Sequence, residues 1–434
     1  SYFNLKVPLL LNEILPEFPG RDTVKGLVMA LDNILALLLQ PVFGDLSDRA
    51  ASRFGRRIPF ITAGTIGAAL FYVLIPWMQL FWAFVLVVFV FNLFMSLYRT
   101  VALVILPDYT PDPVRPKGSA IQQFIANMGG VIGFGVPILL SYFTLSEQWA
   151  DSLGFAIIAL LMLTALAVQL SSIRETPTGR GVIAFSSRAY EIDPVTLRGR
   201  QQEAPAGGPE ESMLSRIRNV LWEDGDMRRF VMAVFFWYLG FAAVEAFFSS
   251  FAVTYLGAPS DAHASRLFLA YTVPMIASAY FVGLVGQRYG RKRAVIGFLL
   301  WLLTALAIFS FAVVPASFQQ LNEIVIMLCL ALISIPWMGV IVNSFPMLWS
   351  LAPESRVATY TGLYYTFNQA AYSLSPVLMG GLLSLSAGLD AYRYIVMFPF
   401  VFLCYGVGLL FLLRVRMPYE DRGEAGSSGA GDAS

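Results

Sequence analysis

The sequence predicts an all-α membrane protein. Twelve transmembrane helices, the first truncated in this chain, form two parallel six-helix halves around a central cavity. Three observations lead there. Of 434 residues, 57% are hydrophobic and only 13% charged, about half the charged share of a soluble globular chain. Apolar runs near bilayer-spanning length recur along almost the whole chain. Basic residues gather in every second connection, which is how membrane topology is set. So little charge cannot cover a water-facing surface, which excludes a disordered chain, a disulfide-stapled secreted domain and almost any soluble enzyme. A net charge of +1 gives no reason to expect a nucleic-acid partner.

Residues 1–15 read as the second half of a helix, because the chain opens without Met and already in apolar sequence. The span 22–43 follows and is closed by Arg49, Arg53, Arg56 and Arg57. Spans 58–77 and 80–106 come next, and Arg115 and Lys117 close the second of them. Spans 118–143 and 153–173 lead into a loop, 174–228, that carries eight arginines and nine acidic residues. Spans 229–256 and 266–287 are closed by Arg288, Arg291, Lys292 and Arg293. Spans 294–314 and 324–351 precede Arg356, and spans 357–385 and 392–413 precede Arg414 and Arg416. All the basic connections fall on one side, so both termini should be cytoplasmic in a multi-pass protein of the cell membrane.

The chain therefore divides into a first half, 1–173, a cytoplasmic linker, 174–228, a second half, 229–417, and a disordered tail, 418–434. Most of the linker should be flexible, being rich in Gly, Pro, Arg and Glu. Its last part, 211–223, spaces Leu214, Ile217, Val220 and Leu221 at helical period, which predicts an interfacial helix. Cys329 and Cys404 lie in apolar runs and read as small buried hydrophobes. One histidine leaves no metal site to expect.

An internal repeat is visible. Gly44-Asp-Leu-Ser-Asp48-Arg49 and then Arg53-Phe-Gly55-Arg56-Arg57 follow the second helix, and Arg288-Tyr-Gly290-Arg291-Lys292-Arg293 follows the eighth. A second pair of marks agrees: Arg115 precedes Asn127 by the same twelve residues that separate Arg356 from Asn368. Two such correspondences argue for duplicated six-helix halves.

The stretch Gly44–Arg57 resembles the loop signature of the major facilitator superfamily. Its spaced form, Asp48 to Arg53-Phe-Gly-Arg-Arg-Ile-Pro59-Phe, is similar to that of sucrose and other glycoside–pentoside–hexuronide cation symporters. Met29-Ala-Leu-Asp32-Asn33-Ile34 with Gln40-Pro41, and Pro107-Asp108 to Arg115 with Lys117-Gly118, resemble the same family. Gln287 departs from it, standing where the repeated loop usually has Asp. The resemblance implies a secondary active transporter working by alternating access. It would move a small polar solute, a sugar such as a disaccharide or glycoside, by proton or sodium symport. Export, a non-sugar solute, or a non-transporting scaffold are the alternatives. A functional monomer in the lipid bilayer, with no cofactor beyond the coupling ion, is expected.

The residues themselves supply candidates. An ionised group at mid-bilayer costs at least about 2.5–3.5 kcal/mol unless paired or hydrated, and Lys6, Asp32, Arg99 and Glu245 all fall inside spans. Lys6 and Asp32 lie at similar depth, roughly 13–15 Å from one membrane face, so an ion pair between them is expected. Burial and nearby cations pull a carboxylate's proton affinity in opposite directions. Moving a cation relative to Asp32 is thus the minimum machinery for proton coupling, although Asp32 and Asn33 could equally hold a sodium ion.

A sugar site needs donors, acceptors and flat apolar walls. Candidate lining residues are Asn33, Gln123, Asn127, Trp237, Tyr238, Trp337, Asn343, Tyr364, Asn368 and Gln369. A cytoplasmic gate is expected from Gly44, Asp48, Arg49, Arg53, Gly55, Arg56, Arg57, Asp108 and Arg115, where carboxylates can bridge to arginines or helix ends. Pro137, Pro274, Pro336, Pro346 and Pro376 should mark helix breaks. A nucleotide-binding Gly-rich loop, H-E-x-x-H and G-x-S-x-G are all missing from the sequence. That argues against ATP-driven transport and against a membrane enzyme with a catalytic or metal constellation.

Overall fold

The computed structural model describes residues 1–15, 20–50, 55, 57–109, 115–175, 181–183, 190–192, 221–313, 323–353 and 357–417. Twelve long helices run through them. The first six are α1 (Tyr2–Ile14), α2 (Arg21–Arg49), α3 (Ile58–Leu74), α4 (Phe81–Tyr109), α5 (Arg115–Leu140) and α6 (Glu147–Ser172). The second six are α7 (Gly225–Ser250), α8 (Asp261–Tyr289), α9 (Arg291–Ile308), α10 (Glu323–Leu351), α11 (Val357–Leu385) and α12 (Met397–Leu413). Each apolar run predicted to span the bilayer is helical over most of its described residues. Eight helices among the described residues are long and apolar enough by themselves to cross a membrane.

Local chemistry explains several boundaries. Asp224 caps α7: its carboxylate accepts from the backbone N–H groups of Asp226 (3.0 Å) and Met227 (2.9 Å) and from the Tyr360 hydroxyl (2.6 Å). Gly55 and Gly290 both have positive φ, 97° and 86°. Only glycine takes that conformation without strain, so the repeated loops share a backbone turn as well as charges. The prolines do not break the helices: Pro137, Pro274, Pro336, Pro346 and Pro376 all lie within continuous ones. In a bundle, neighbouring helices and side chains can re-satisfy the carbonyl that a proline frees.

Two compact units result. One comprises Ser1–Phe18 and Leu27–Pro209, the other Pro19–Gly26 and Glu210–Ser434. Helix α2 thus begins in the second unit and continues in the first. Inside the first unit, α3 lies against α4 through glycines: a Cβ at Gly64 would stand 2.9 Å from the Tyr98 backbone, and one at Gly67 would stand 2.4 Å from the Phe94 ring. The second unit uses the same device, with Gly339 under Phe298 and Gly408 under Trp237. Small residues let membrane helices approach where apolar burial against lipid offers no gain.

The linker holds more order than its composition suggests. Ile173–Glu175, Gly181–Ile183 and Tyr190–Ile192 form a three-stranded antiparallel sheet, with Ile173 opposite Ile183 and Ile183 opposite Tyr190. These β-branched and aromatic residues favour pairing, and overall Gly and Pro content concealed them. Of the predicted interfacial helix 211–223, only 221–223 is described, and it is helical; the tail lies outside the described residues.

Candidate functional site

In the first unit the structure sorts the buried charges. Arg99 Nη2 of α4 lies 3.4 Å from Asp32 Oδ2 of α2, and both side chains are part-exposed, 39% and 27%. Asn33 beside them is half-buried. The expected pair between Lys6 and Asp32 is not formed; Lys6 pairs with Asp151 of α6 instead. Helix rotation explains this. Tyr2 and Lys6 are one turn apart on α1, Asp151 and Phe155 one turn apart on α6, and Tyr2 meets Phe155 edge-on at 5.1 Å. That stripe turns Lys6 toward α6. Depth along the membrane fixes how far a residue lies from the surface, not which neighbour it faces.

The second unit assembles an aromatic and hydroxyl cluster. The Tyr238 hydroxyl of α7 lies 3.3 Å from that of Tyr364 on α11, which lies 3.1 Å from Ser344 Oγ on α10. Phe241 stacks on Trp337 at 4.7 Å with 12° between planes, and Tyr238 meets Trp337 edge-on. Tyr372 packs against both Tyr238 and Phe241. Glu245, one turn beyond Phe241, is half-buried and within electrostatic reach of the Tyr271 and Tyr372 hydroxyls. The Trp337 indole N–H is buried and has no hydrogen-bond partner among the described residues. Trp337, Tyr364 and Ser344 are buried here, so the cluster meets a solute only when these helices part; flat rings with hydroxyls at their edges can then hold the C–H face and the hydroxyls of a ring solute.

Other predicted lining residues are placed differently. Trp237 is buried against Phe230 and over Gly408, a packing position between α7 and α12. Asn343 is fully buried and committed to its neighbours. Its amide donates to the carbonyls of Val282 (3.1 Å) and Gly339 (2.8 Å), and its oxygen accepts from Arg291 Nη1 (2.8 Å). Asn343 therefore pins the second repeated loop to α8 and α10, where it was expected to face a solute. A stripe of polar residues gives a face but not the neighbour that face meets. Asn127, Asn368 and Gln369 are half-buried on α5 and α11. The Gln123 side chain lies outside the described residues.

The first repeated loop is pinned in parallel. Arg57 is buried and donates to Ser47 Oγ, which in turn donates to the Gly44 carbonyl at 3.0 Å. The side chains of Asp48, Arg49, Asp108 and Arg115, and residues Arg53 and Arg56 altogether, lie outside the described residues.

One cluster was missed in the sequence. Asp22 is buried between Lys25 (2.5 Å) and Arg393 (2.8 Å), and Lys25 donates to the Tyr394 hydroxyl at 3.2 Å. Thr23 meets Ser384 by two bonds of 2.9 Å. Gly26 and Gly380 allow the contact, since a Cβ on either would stand within 2.3 Å of a facing carbonyl oxygen. The signal was present: Asp22 and Lys25 stand at i and i+3 inside an apolar span, and Arg393 opens another. Charges near span ends ordinarily reach water, which is why sequence reasoning passes over them.

Residues 3–262 match the model of the Major Facilitator Superfamily. The human proton-associated sugar transporter A is 49% identical over 63 residues, which is 14% of this chain and 8% of that protein. An uncharacterized symporter, sll1374 of Synechocystis sp., is 26% identical over 184 residues, covering 40% of this chain and 34% of its own. The chain thus matches well under half the length of these relatives. A crystal structure of a point mutant of the nucleoside transporter NupG superposes with a TM-score of 0.66 at 12% identity, over 94% of this chain and 96% of that one. That likeness shows the fold.

Proposed function

This chain belongs to the major facilitator superfamily, and we propose that within it the protein is a sugar–cation symporter working by alternating access. Membership makes it a multi-pass membrane transporter. The finer reading rests on one observation: an ionisable carboxylate, Asp32, held 3.4 Å from the Arg99 guanidinium inside the spanning helices, with both groups part-exposed. A pair that water can reach can open, and an opened pair lets Asp32 take a proton or ligate a cation. Glu245 supplies a second carboxylate, in the other unit, beside the aromatic and hydroxyl cluster.

In this reading the Tyr238–Tyr364–Ser344 hydroxyls and the Phe241–Trp337 stack bind the sugar, and Asp32 couples it to the ion. The repeated loops around Arg57 and Arg291 act as hinges on the cytoplasmic side, where both termini also lie. The names of the human sugar transporter and the Synechocystis symporter support the same direction, through their partial matches. The test is uptake by proteoliposomes under an imposed proton or sodium gradient, screened over disaccharides, monosaccharides and nucleosides. The expected result is gradient-dependent accumulation of a sugar. Accumulation of nucleosides alone, or of nothing under either gradient, would refute the assignment.

A further inference from the structure

We propose that the second unit carries a binding site for the phosphate headgroup of an anionic phospholipid, at the second repeated loop and apart from the residues assigned to sugar and ion. The site is a cleft of about 1250 Å³ where the end of α8, the start of α9 and the end of α12 meet the first turn of α7. Six cationic side chains line it, Arg229, Arg288, Lys292, Arg293, Arg414 and Arg416, and no acidic one does among the described residues.

The frame is held by a subset of these groups. Lys292 donates to the carbonyls of Leu413 (3.3 Å) and Val415 (2.6 Å), so it caps α12. Arg229 pairs with Asp226 at 2.9 Å, and the same Asp226 oxygen accepts from the backbone N–H of Arg416 at 3.0 Å. Residues 414–417, which follow α12 and line the cleft, are thereby tied to the first turn of α7. Arg288, Arg293, Arg414 and Arg416 are exposed around it. Guanidinium groups suit phosphate oxygens, which they meet by paired, charge-assisted bonds.

Two features favour a lipid over a soluble phosphate. The lining continues into apolar side chains, Val285, Trp301 and Leu413, so the cleft is amphipathic. It also lies at the ends of bilayer-spanning helices, on the face that the basic connections share, where anionic headgroups are found. Topological bias accounts for basic residues near that face. It does not account for six of them converging on one cleft with an apolar wall.

The experiment titrates the purified full chain in neutral detergent with short-chain phosphatidylglycerol, short-chain phosphatidylcholine and inorganic phosphate, reading thermal stability and apparent affinity. Phosphatidylglycerol should stabilise the protein and bind at least about tenfold tighter than phosphatidylcholine. Arg288→Gln with Arg416→Gln should weaken that binding roughly thirtyfold, given what each basic group contributes near a charged surface. Arg288→Lys with Arg416→Lys keeps the charge but not the paired bonds and should bind more tightly than the Gln pair, which separates lost charge from a folding defect. Equal binding of the two lipids would overturn the site. Inorganic phosphate acting as well as the lipid would assign it to a soluble anion and overturn the lipid reading. Lipid binding that appears only after removal of residues 418–434, which include Glu420, Asp421 and Glu424, would give the cleft to the chain's own tail.

Discussion

The Lys6–Asp151 and Arg99–Asp32 pairs lie within the spanning helices of the first unit, and they differ in access to water. Lys6 and Asp151 are enclosed, with side-chain exposures of 6% and 15%; Arg99 and Asp32 stand at 39% and 27%. An enclosed pair has given up its hydration and cannot open without stranding a charge. A part-exposed pair can exchange its partner for water, a proton or a cation. In the proposed function the first is architecture and the second is machinery. Asp22 with Lys25 and Arg393, in the second unit, belongs with the enclosed kind.

The largest expected effect comes from the open pair. Asp32→Asn should abolish gradient-driven accumulation while leaving expression and melting temperature near normal. Accumulation retained by the variant would place coupling elsewhere, with Glu245 the next residue to test.

Substitutions at the enclosed pairs should invert that pattern. Lys6→Ala removes the cation beside the part-buried Asp151, and Arg393→Ala leaves Asp22 with Lys25; each should cost up to about 3–5 kcal/mol of stability, read as a lowered melting temperature. Lys6→Ala with Asp151→Ala should recover part of the loss. Strict additivity in that double variant would mean the two groups do not act as a pair.

A smaller effect is expected where packing alone is at stake. Gly408→Ala puts a Cβ 2.4 Å from the Trp237 ring, and relieving that overlap should cost about 1–3 kcal/mol. Transport per folded molecule should be unchanged, which would separate Trp237 from the solute site. The mildest substitution is Tyr364→Phe. It removes the hydroxyl between Tyr238 and Ser344 and should cost about 1 kcal/mol. Because that hydroxyl is assigned to the sugar, KM should rise with little change in maximal rate. An unaltered KM would make the cluster a packing device and erase its contrast with Trp237.

Much of the fold was legible because hydropathy and basic connections act along one dimension. Span positions, the duplicated loops and the glycines at 55 and 290 all follow from spacing. Partner choice does not, since it depends on how each helix is turned about its axis. Sequence depth placed Lys6 level with Asp32, yet the Tyr2–Phe155 contact turned Lys6 toward Asp151. The stripe through Trp337 and Asn343 named a face of α10, but Arg291 and the carbonyls of Val282 and Gly339 claimed Asn343. Asp22, Lys25 and Arg393 escaped notice because charges near a span end usually reach water. Here Gly26 and Gly380 let the backbones close over them.

In the proposed function the water-accessible pair, and not the enclosed one, couples solute to ion. Its most direct test follows proton movement with a pH dye trapped in proteoliposomes as the transported sugar is added. The wild-type protein should carry protons inward with the sugar. Asp32→Asn should show no proton movement yet still exchange labelled for unlabelled sugar. Proton uptake persisting in Asp32→Asn would contradict the account.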